Sequence, residues 1–394
     1  MNAKDAPDRR EGPSGEPQDV VATVDELLAR AVASGASDVH FEPTGADLKV
    51  KYRLDGVLQP VESLPAGVAE NVVARLKVLG GLLTYRNDIP QEGRLELSGV
   101  SADSVTDVRL AVFPTIYGQR AVVRLFYSHE ELLEIGHLGF APEIESRLKD
   151  LAAQNQGVLL VTGPAGSGKS TTLAALLRHV VRTLPGKSVV SLEDPVEIRI
   201  EGVTQVPITP HAQMTFPTAL RSLLRQDPQV LMIGEIRDAE TARIAIEAGL
   251  TGHLLMSTMH SGTPAGALLR LLEMGIEPYQ VTSSISAVAS QRLVRRLCEK
   301  CKKKDQSGRF AAVGCDHCLD TGFRGRTLIA EMVALDTDLR KAILAKADLD
   351  ALEALIAGKG YTNMFEHGKR LVDAGVTTET ELRKACGLAP PTGG

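Results

Sequence analysis

A glycine-rich stretch between an apolar run and a helical pattern carries the clearest chemistry in this sequence. Residues 158–172 read VLLVTGPAGSGKSTT and follow the spacing G-x-x-x-x-G-K-[ST] of a phosphate-binding P-loop. Glycines let successive backbone N–H groups point into one cavity, where Lys169 would reach the β- and γ-phosphates of ATP and Ser170 would bind Mg²⁺. The predicted nucleotide-binding residues are Gly163, Pro164, Ala165, Gly166, Ser167, Gly168, Lys169, Ser170 and Thr171.

Acidic residues follow two of the strands predicted further along the chain. Glu235 comes directly after the apolar run VLMIG, as in a Walker B strand, and is predicted to orient or deprotonate the attacking water. Glu193, Asp194 and Glu197 form a second group, which would contact Mg²⁺ through water because this ion keeps much of its hydration shell. Acidic loops and helix caps are common, so each group also has a purely structural interpretation.

Two histidines and two arginines are weaker candidates. His253 and His260 bracket the next predicted strand, and histidines in such places are more often structural than catalytic. Arg221 and Arg225 lie four residues apart on one predicted helix, a spacing that suits either i,i+4 ion pairs or two groups reaching a phosphate. The residue types alone leave both alternatives open.

Four of the five cysteines form two C-x-x-C pairs, Cys298 with Cys301 and Cys315 with Cys318. This spacing predicts a Zn²⁺ site of four thiolates that stabilises a segment too polar to fold around a core of its own. The site leaves no open position for a substrate, so we interpret the zinc as structural. His317 lies inside the second pair, and a site of three cysteines and one histidine is the alternative.

Composition and charge bound the class of protein. The 394 residues are 43% hydrophobic and 24% charged, which is typical of folded domains. A net charge of −5, 4% aromatic residues and no Trp disfavour a nucleic-acid-binding surface. No window approaches the length of an apolar membrane span, and the N-terminus lacks the apolar core of a signal peptide. We therefore expect a cytoplasmic protein that reaches a membrane only through partners.

The order of the predicted elements divides the chain into parts. Residues 1–18 are rich in Pro, Gly and charge and predict a disordered tail, whereas 19–127 contain a helix and short alternating segments that predict a small α+β domain. Residues 128–140 are interpreted as a linker. The remainder, 141–394, alternates strand and helix patterns and predicts a parallel sheet covered by helices. It includes the predicted zinc-binding subdomain, 296–322, and a helical C-terminal region, 333–394.

Charged runs in both parts allow two interpretations each. Arg53, Arg94, Arg109 and Arg124 lie on or beside predicted strands of the first domain; surface arginines are usually solvated, but beside a nucleotide they would clamp its γ-phosphate. The basic run RLVRRLCEKCKKK, residues 292–304, is interpreted as a solvated helix end rather than as a surface for an acidic partner or a lipid.

Taken together, the motifs resemble the secretion ATPases of type II secretion and type IV pilus assembly. The resemblance runs from about residue 36 to residue 384 and implies an α/β fold. It implies a RecA-like P-loop NTPase domain preceded by a small α+β, PAS-like domain, with a four-cysteine zinc insertion and a helical C-terminal region. The motifs that carry it are, in order, SDVHFEP, RLDG, PQEGR, GPAGSGKSTT, LEDPVE, TFPTALRSLLRQDP, GEIRDAETA, TGHLLMSTMHSG, SQRLVRRLC, the four cysteines and GFRGRT.

The resemblance also implies roles for individual residues. Glu235 matches the family's Walker B glutamate, the segment 193–197 its aspartate box, and His253 and His260 its histidine box. Several arginines match family arginines that surround the nucleotide. These are Arg94 and Arg109 of the front domain, together with Arg221, Arg225 and Arg326.

The family's activity and partners follow as expectations. By resemblance, the protein is a homohexamer that hydrolyses ATP with Mg²⁺ and drives an inner-membrane platform protein of a pilus or type II secretion machine. The weak net charge and the few aromatic residues predict that it binds no nucleic acid. Its membrane association would be indirect, and the four cysteines are typical of the assembly branch rather than the retraction branch. Two alternatives are an ATP-binding switch or scaffold without sustained cycling, and a nucleic-acid motor on the same fold.

Overall fold

The computed structural model describes residues 19–96, 105–127, 130–209, 214–306 and 308–389. The tail predicted at residues 1–18 lies outside these ranges. The chain divides into two compact units, residues 1–128 and residues 129–394. Within the described ranges, no helix combines the length and the apolarity needed to cross a bilayer.

The first unit is a six-stranded antiparallel sheet with two helices packed on one face. Val39 and Phe41 point into the core under the helices, and the residues that alternate with them face the other side of the sheet. Asp55 and Gly56, both with positive φ, form a two-residue hairpin turn, for which Asp-Gly is a favoured dipeptide. The strands lie in the order β3-β2-β1-β6-β5-β4. The elements are α1 (Val20–Ser34), β1 (Asp38–Pro43), β2 (Asp47–Leu54), β3 (Val57–Pro65), α2 (Ala69–Leu79), β4 (Gln91–Arg94), β5 (Val105–Thr115) and β6 (Gly118–Tyr127).

The second unit is built on a seven-stranded sheet in the order β15-β12-β7-β11-β10-β8-β9. Six strands are parallel, and β15 pairs antiparallel with β12 at one edge. Its strands are β7 (Gly157–Thr162), β8 (Val189–Glu193), β9 (Thr204–Pro207), β10 (Val230–Ile233), β11 (Leu254–Met259), β12 (Ile285–Leu297) and β15 (Phe323–Ala334), with a separate ribbon of β13 (Lys303–Lys304) and β14 (Phe310–Ala311). Its helices are α3 (Pro142–Ala152), α4 (Lys169–Thr183), α5 (Phe216–Leu223), α6 (Ala239–Leu250), α7 (Pro264–Glu273), α8 (Pro278–Ser284), α9 (Thr337–Leu344), α10 (Leu349–Ala357), α11 (Met364–Asp373) and α12 (Glu379–Ala385).

Both faces of the second sheet are covered by helices, as the continuous apolar runs predict. All six residues of β7 are buried. Val158 and Leu160 belong to one hydrophobic cluster, and Leu159 and Val161 belong to another. Because neighbouring residues of a strand point to opposite faces, these two clusters are the cores on the two sides of the sheet. The predicted parallel sheet is confirmed, with β15 added antiparallel at its edge.

Two segments differ from their interpretation in the sequence. Residues 130–140, interpreted as a linker, contain two 3-10 turns whose Leu133 and Ile135 are buried in the core of the second unit. The basic run that begins at Arg292 is not a helix end, because residues 292–297 are the last part of β12. These residues form a strand despite their charge pattern, because they pair with β15, which is distant in sequence.

A histidine on α11 satisfies one backbone N–H at the outer edge of this sheet. β15 is the outermost strand on its side, and the backbone N–H of Ala330 donates to Nδ1 of His367 at 3.1 Å. His367 is buried, and this burial lowers its pKa below the usual 6.5; Arg370 also lowers the pKa, while Glu143 of α3 raises it. Because Nδ1 accepts a hydrogen bond, it has to stay unprotonated in the folded protein.

We expect acid to destabilise the second unit partly through this histidine. Below about pH 6.5 the unfolded chain binds a proton at His367 that the folded chain excludes, so stability falls as the pH drops from 6.5 towards the lowered folded pKa. His367→Asn places an oxygen acceptor near the Nδ1 position and does not titrate. In urea unfolding at about pH 7.5 and 5.5, its free energy of unfolding should fall less than that of the wild type, by up to about 1.4 kcal/mol per pH unit. Equal losses in the two proteins would contradict this role.

Candidate active site

The carboxyl ends of four neighbouring parallel strands place the candidate residues side by side. In the order β7, β11, β10 and β8, these strands lead into the P-loop, His260, Glu235 and Glu193. Parallel strands end at a common edge of the sheet, and ligands of open α/β sheets bind at that edge. Residues that are far apart in the sequence are thereby brought to one place.

These strand ends surround a cleft of about 230 Å³. The predicted residues in its wall are Ala165, Lys169, Ser170, Glu193, Asp194, Glu197, Glu235 and His260. Sequence reasoning did not select the apolar part of the wall, which is formed by Leu173, Ala174, Ile198, Ile200, Phe216 and Met232. A cleft that combines phosphate-binding groups, carboxylates and apolar side chains suits a ligand of mixed polarity such as a nucleotide.

The backbone of the P-loop requires both glycines of the motif. Gly163 has a φ of 147°, and a Cβ at this position would stand 2.4 Å from the carbonyl oxygen of Gln291. Gly168, with a φ of 87°, immediately precedes α4, and no described side chain caps that end of the helix. The first N–H groups of α4 and the positive end of its dipole are therefore available to a phosphate.

Lys169 is the lysine in the wall of the cleft. Its Nζ donates to the carbonyl oxygens of Gly163 and Pro164, both at 2.9 Å. Burial lowers the pKa of the Lys169 ammonium, the Glu235 carboxylate raises it, and the Arg292 guanidinium lowers it. Lys169 and Glu235 therefore interact electrostatically, so removing either charge changes the field at the other.

Glu235 is held from two sides. Its Oε1 lies 3.0 Å from Nε2 of His260, and its Oε2 accepts a hydrogen bond from Nε of Arg237 at 2.6 Å. The side chain of Glu235 is 13% exposed, so it is shielded from bulk water and still open to the cleft. A carboxylate fixed in this way can orient a water molecule or accept its proton. Arg237 was not predicted as a site residue, although its position two residues after Glu235 was a usable signal.

Glu193 is also positioned by neighbours that the sequence did not single out. Its Oε1 accepts hydrogen bonds from Oγ of Ser191 at 2.5 Å and from Nε2 of Gln205 at 2.9 Å. Gln205 lies on β9 opposite Ser191, so only the pairing of β8 with β9 brings the two together. With Asp194 and Glu197 in the same wall, this side of the cleft has the oxygen ligands that a hydrated Mg²⁺ takes.

The predicted arginines of the second unit lie outside this wall. Arg221 pairs with Glu240 at 2.5 Å, and Nη1 of Arg225 donates to the carbonyl oxygen of Arg221. Arg326 is exposed on β15, opposite Arg295 of β12. The structure therefore does not bring these three arginines to the cleft of the same chain.

His253 is also distant from the cleft. It immediately precedes β11, at the amino end of that strand and hence at the sheet edge opposite the cleft. Its Nδ1 lies 3.1 Å from the carbonyl oxygen of Ala248. Of the two predicted histidines, the structure brings only His260 to Glu235, because His260 follows the carboxyl end of the same strand.

Three arginines of the first unit stand in register on adjacent strands. Arg94 of β4 pairs with Arg109 of β5, which in turn pairs with Arg124 of β6. Like charges opposite one another destabilise a sheet, and Asp107 offsets this by accepting hydrogen bonds from both Arg94 and Arg109. Arg124 donates to Asp38 at 3.0 Å. The side chains of Arg94 and Arg109 remain 76% and 52% exposed, so both can contact an anion.

The four cysteines converge as the C-x-x-C spacing predicts. Their sulfur atoms all lie within 4.8 Å of one another, with Cys301–Cys318 and Cys315–Cys318 separations of 3.8 Å and a Cys298–Cys315 separation of 4.0 Å. A tetrahedral zinc with bonds of about 2.3 Å needs sulfur atoms about 3.8 Å apart, so the cluster fits this ion. His317 is not part of the cluster.

The strand–loop–helix at β7 and α4, with an acid at the end of a parallel strand, defines a P-loop nucleoside triphosphatase. The family described as "Type II/IV secretion system protein" matches residues 15–384. The chain belongs to this family, and its enzyme class is that of an ATPase. The resemblance inferred from the motifs is confirmed.

Individual relatives agree with this assignment. The "Type IV pilus assembly ATPase PilB" of Thermus thermophilus is 40% identical over 377 residues, which are 91% of this chain and 42% of that protein. The "Type II secretion system protein HxcR" of Pseudomonas aeruginosa is 40% identical over 364 residues, 92% of this chain and 76% of that protein. The chain thus spans less than half of the PilB relative. The solved structure of the ATPase DotB of Legionella pneumophila shares the fold, with a TM-score of 0.67 at 20% identity over 94% of this chain and 97% of that one.

Proposed function

We propose that this chain is a Mg²⁺-dependent ATPase motor that powers assembly of a type IV pilus or a type II secretion pseudopilus. The observation that carries the proposal is the cleft in which Lys169, Glu193, Glu235 and His260 meet at one sheet edge. The relatives named for pilus assembly and type II secretion support the two machines equally, since both are 40% identical.

The residues of the chain divide the work of hydrolysis. The P-loop amides and Lys169 bind and neutralise the phosphates, and Glu193, Asp194 and Glu197 hold the hydration shell of Mg²⁺. Bound Mg²⁺ supplies the charge that neutralises the phosphate oxygens. Glu235 orients the attacking water and accepts its proton, and His260 and Arg237 keep its carboxylate in place.

The acting form in this proposal is a homohexamer on the cytoplasmic side of the inner membrane. Its work is delivered to a platform protein, so contact with the membrane is indirect. In the described wall of the cleft Arg237 is the one arginine, which supports a site completed by arginines of a neighbouring copy. The candidates for that role are Arg94, Arg109, Arg221, Arg225 and Arg326. A zinc ion bound at the four cysteines is structural. The role predicted for His253 stays part of the proposal, although this residue lies outside the cleft of its own chain.

The test is ATP hydrolysis across a concentration series of the purified chain, with mass measured by light scattering in the same samples. We expect phosphate release to rise as a sixfold mass appears. Full activity in a monomer would contradict the composite site. Binding of ATP without steady-state phosphate release would favour the switch or scaffold alternative, and a salt-sensitive shift with single-stranded DNA would favour a nucleic-acid motor.

A further inference from the structure

The P-loop is wrapped around one buried glutamine. Gln291 of β12 is fully buried; its Nε2 donates to the carbonyl oxygen of Ser167 at 2.8 Å, and its Oε1 accepts from Oγ1 of Thr172 at 3.0 Å. A Cβ on Gly163 would stand 2.4 Å from the Gln291 carbonyl oxygen, and a Cβ on Gly168 would stand 3.3 Å from its Nε2. One residue therefore contacts both motif glycines, the loop between them and the first turn of α4.

The support for this glutamine comes from the sheet and not from the loop. β12 pairs in parallel with β7, and Ser290, the residue before Gln291, is opposite Thr162, the last residue of β7. On its other side Gln291 is opposite Ala330 of β15. A side chain held between two strands loses little further freedom when it fixes a loop, so the loop is ordered before a ligand arrives.

We propose that Gln291 is a positioning residue that keeps the P-loop in its phosphate-binding shape. It is not a residue of the cleft wall and acts through Ser167 and Thr172. The inference rests on the proposed function, because it requires that the P-loop binds ATP. The loop contacts phosphates in both the ground state and the transition state, so losing the support weakens nucleotide binding more than it slows the chemical step.

Gln291→Met tests the proposal, because methionine has a similar length and removes both hydrogen bonds. Titration of the full chain with a fluorescent ADP in the presence of Mg²⁺ should give a Kd about tenfold higher than that of the wild type. The KM for ATP should rise by a similar factor, with kcat changed less than about threefold. Thr172→Val removes one of the two hydrogen bonds and should raise Kd in the same direction. If Gln291→Met does not fold, the Kd of Thr172→Val tests the proposal in its place.

Two further measurements separate positioning from general destabilisation. Val294 is buried on the same strand but packs in another hydrophobic cluster. Val294→Ala should therefore lower the unfolding temperature and leave the Kd unchanged. The double variant Gln291→Met with Thr172→Val should bind no more weakly than Gln291→Met alone, because the two residues act as one unit. An additive loss in that cycle would contradict the role.

The outcomes distinguish the two proposals. If the wild type binds the nucleotide and both variants have a Kd within about twofold of the wild-type Kd, the role of Gln291 is overturned and the proposed function is left intact. Absence of nucleotide binding by the wild type would overturn both.

Discussion

Glu235→Gln is expected to leave ATP bound and unhydrolysed. Glutamine keeps the shape of the side chain and one oxygen acceptor, but it cannot take a proton from water. General-base catalysis contributes about 10²- to 10⁴-fold, so kcat should fall by about that factor. Because a carboxylate is removed from a cleft that binds phosphates, the affinity for ATP should stay the same or increase. Phosphate release and nucleotide titration on the same samples measure the two effects.

Lys169→Ala provides the contrast. It removes the ammonium that donates to the P-loop carbonyl oxygens of Gly163 and Pro164, so the variant should lose ATP binding as well as turnover. Glu247→Gln is the matched control, since it makes the same chemical change at an exposed position of α6 and should keep wild-type turnover. Normal turnover in Glu235→Gln would remove the role assigned to this carboxylate.

Loss of any one of the four clustered cysteines is expected to release the metal and unfold the segment around it. The purified chain should contain one zinc, and Cys298→Ser or Cys318→Ser should contain little or none. Structural zinc contributes about 10–16 kcal/mol to the folding of small zinc domains, and the polar segment 302–314 has little core to replace it. Metal analysis and limited proteolysis between residues 301 and 315 would show both consequences.

Cys386→Ser is the internal control for that experiment. Cys386 is the fifth cysteine, and it lies in a different cluster with Met364 and Leu382. It should keep both the zinc and the protease resistance of the wild type. Zinc retained after all four clustered cysteines are changed to serine would refute the assignment of the ligands.

The parts of the site that the sequence predicted are those encoded by local spacing. The P-loop, the acid after β10 and the C-x-x-C pairs each need only a few residues of chain to define their chemistry. Gln205 could not be selected, because it supports Glu193 only through the pairing of β8 with β9. Gln291 is more than 120 residues from Ser167 in sequence, and only the pairing of β12 with β7 brings them together.

The fold shows the same division. Apolar runs predicted the buried parallel strands, because strands covered on both faces are apolar along their whole length. The basic end of β12 has no such pattern: Arg295 is held there by an ion pair with Glu381 of α12 and by pairing with β15. These partners are about 30 to 90 residues away, so local patterning could not reveal them.

The contact between His367 and Ala330 has a consequence for how copies of this chain can join. An outer strand with free N–H groups is a template onto which a strand of another molecule can add. Here α11 packs against β15, and Nδ1 of His367 accepts a hydrogen bond from the backbone N–H of Ala330. This N–H of β15 is therefore not available to a strand of another molecule. A molecule that docks at this position would therefore meet the side chains of α11 and not the open backbone of an edge strand.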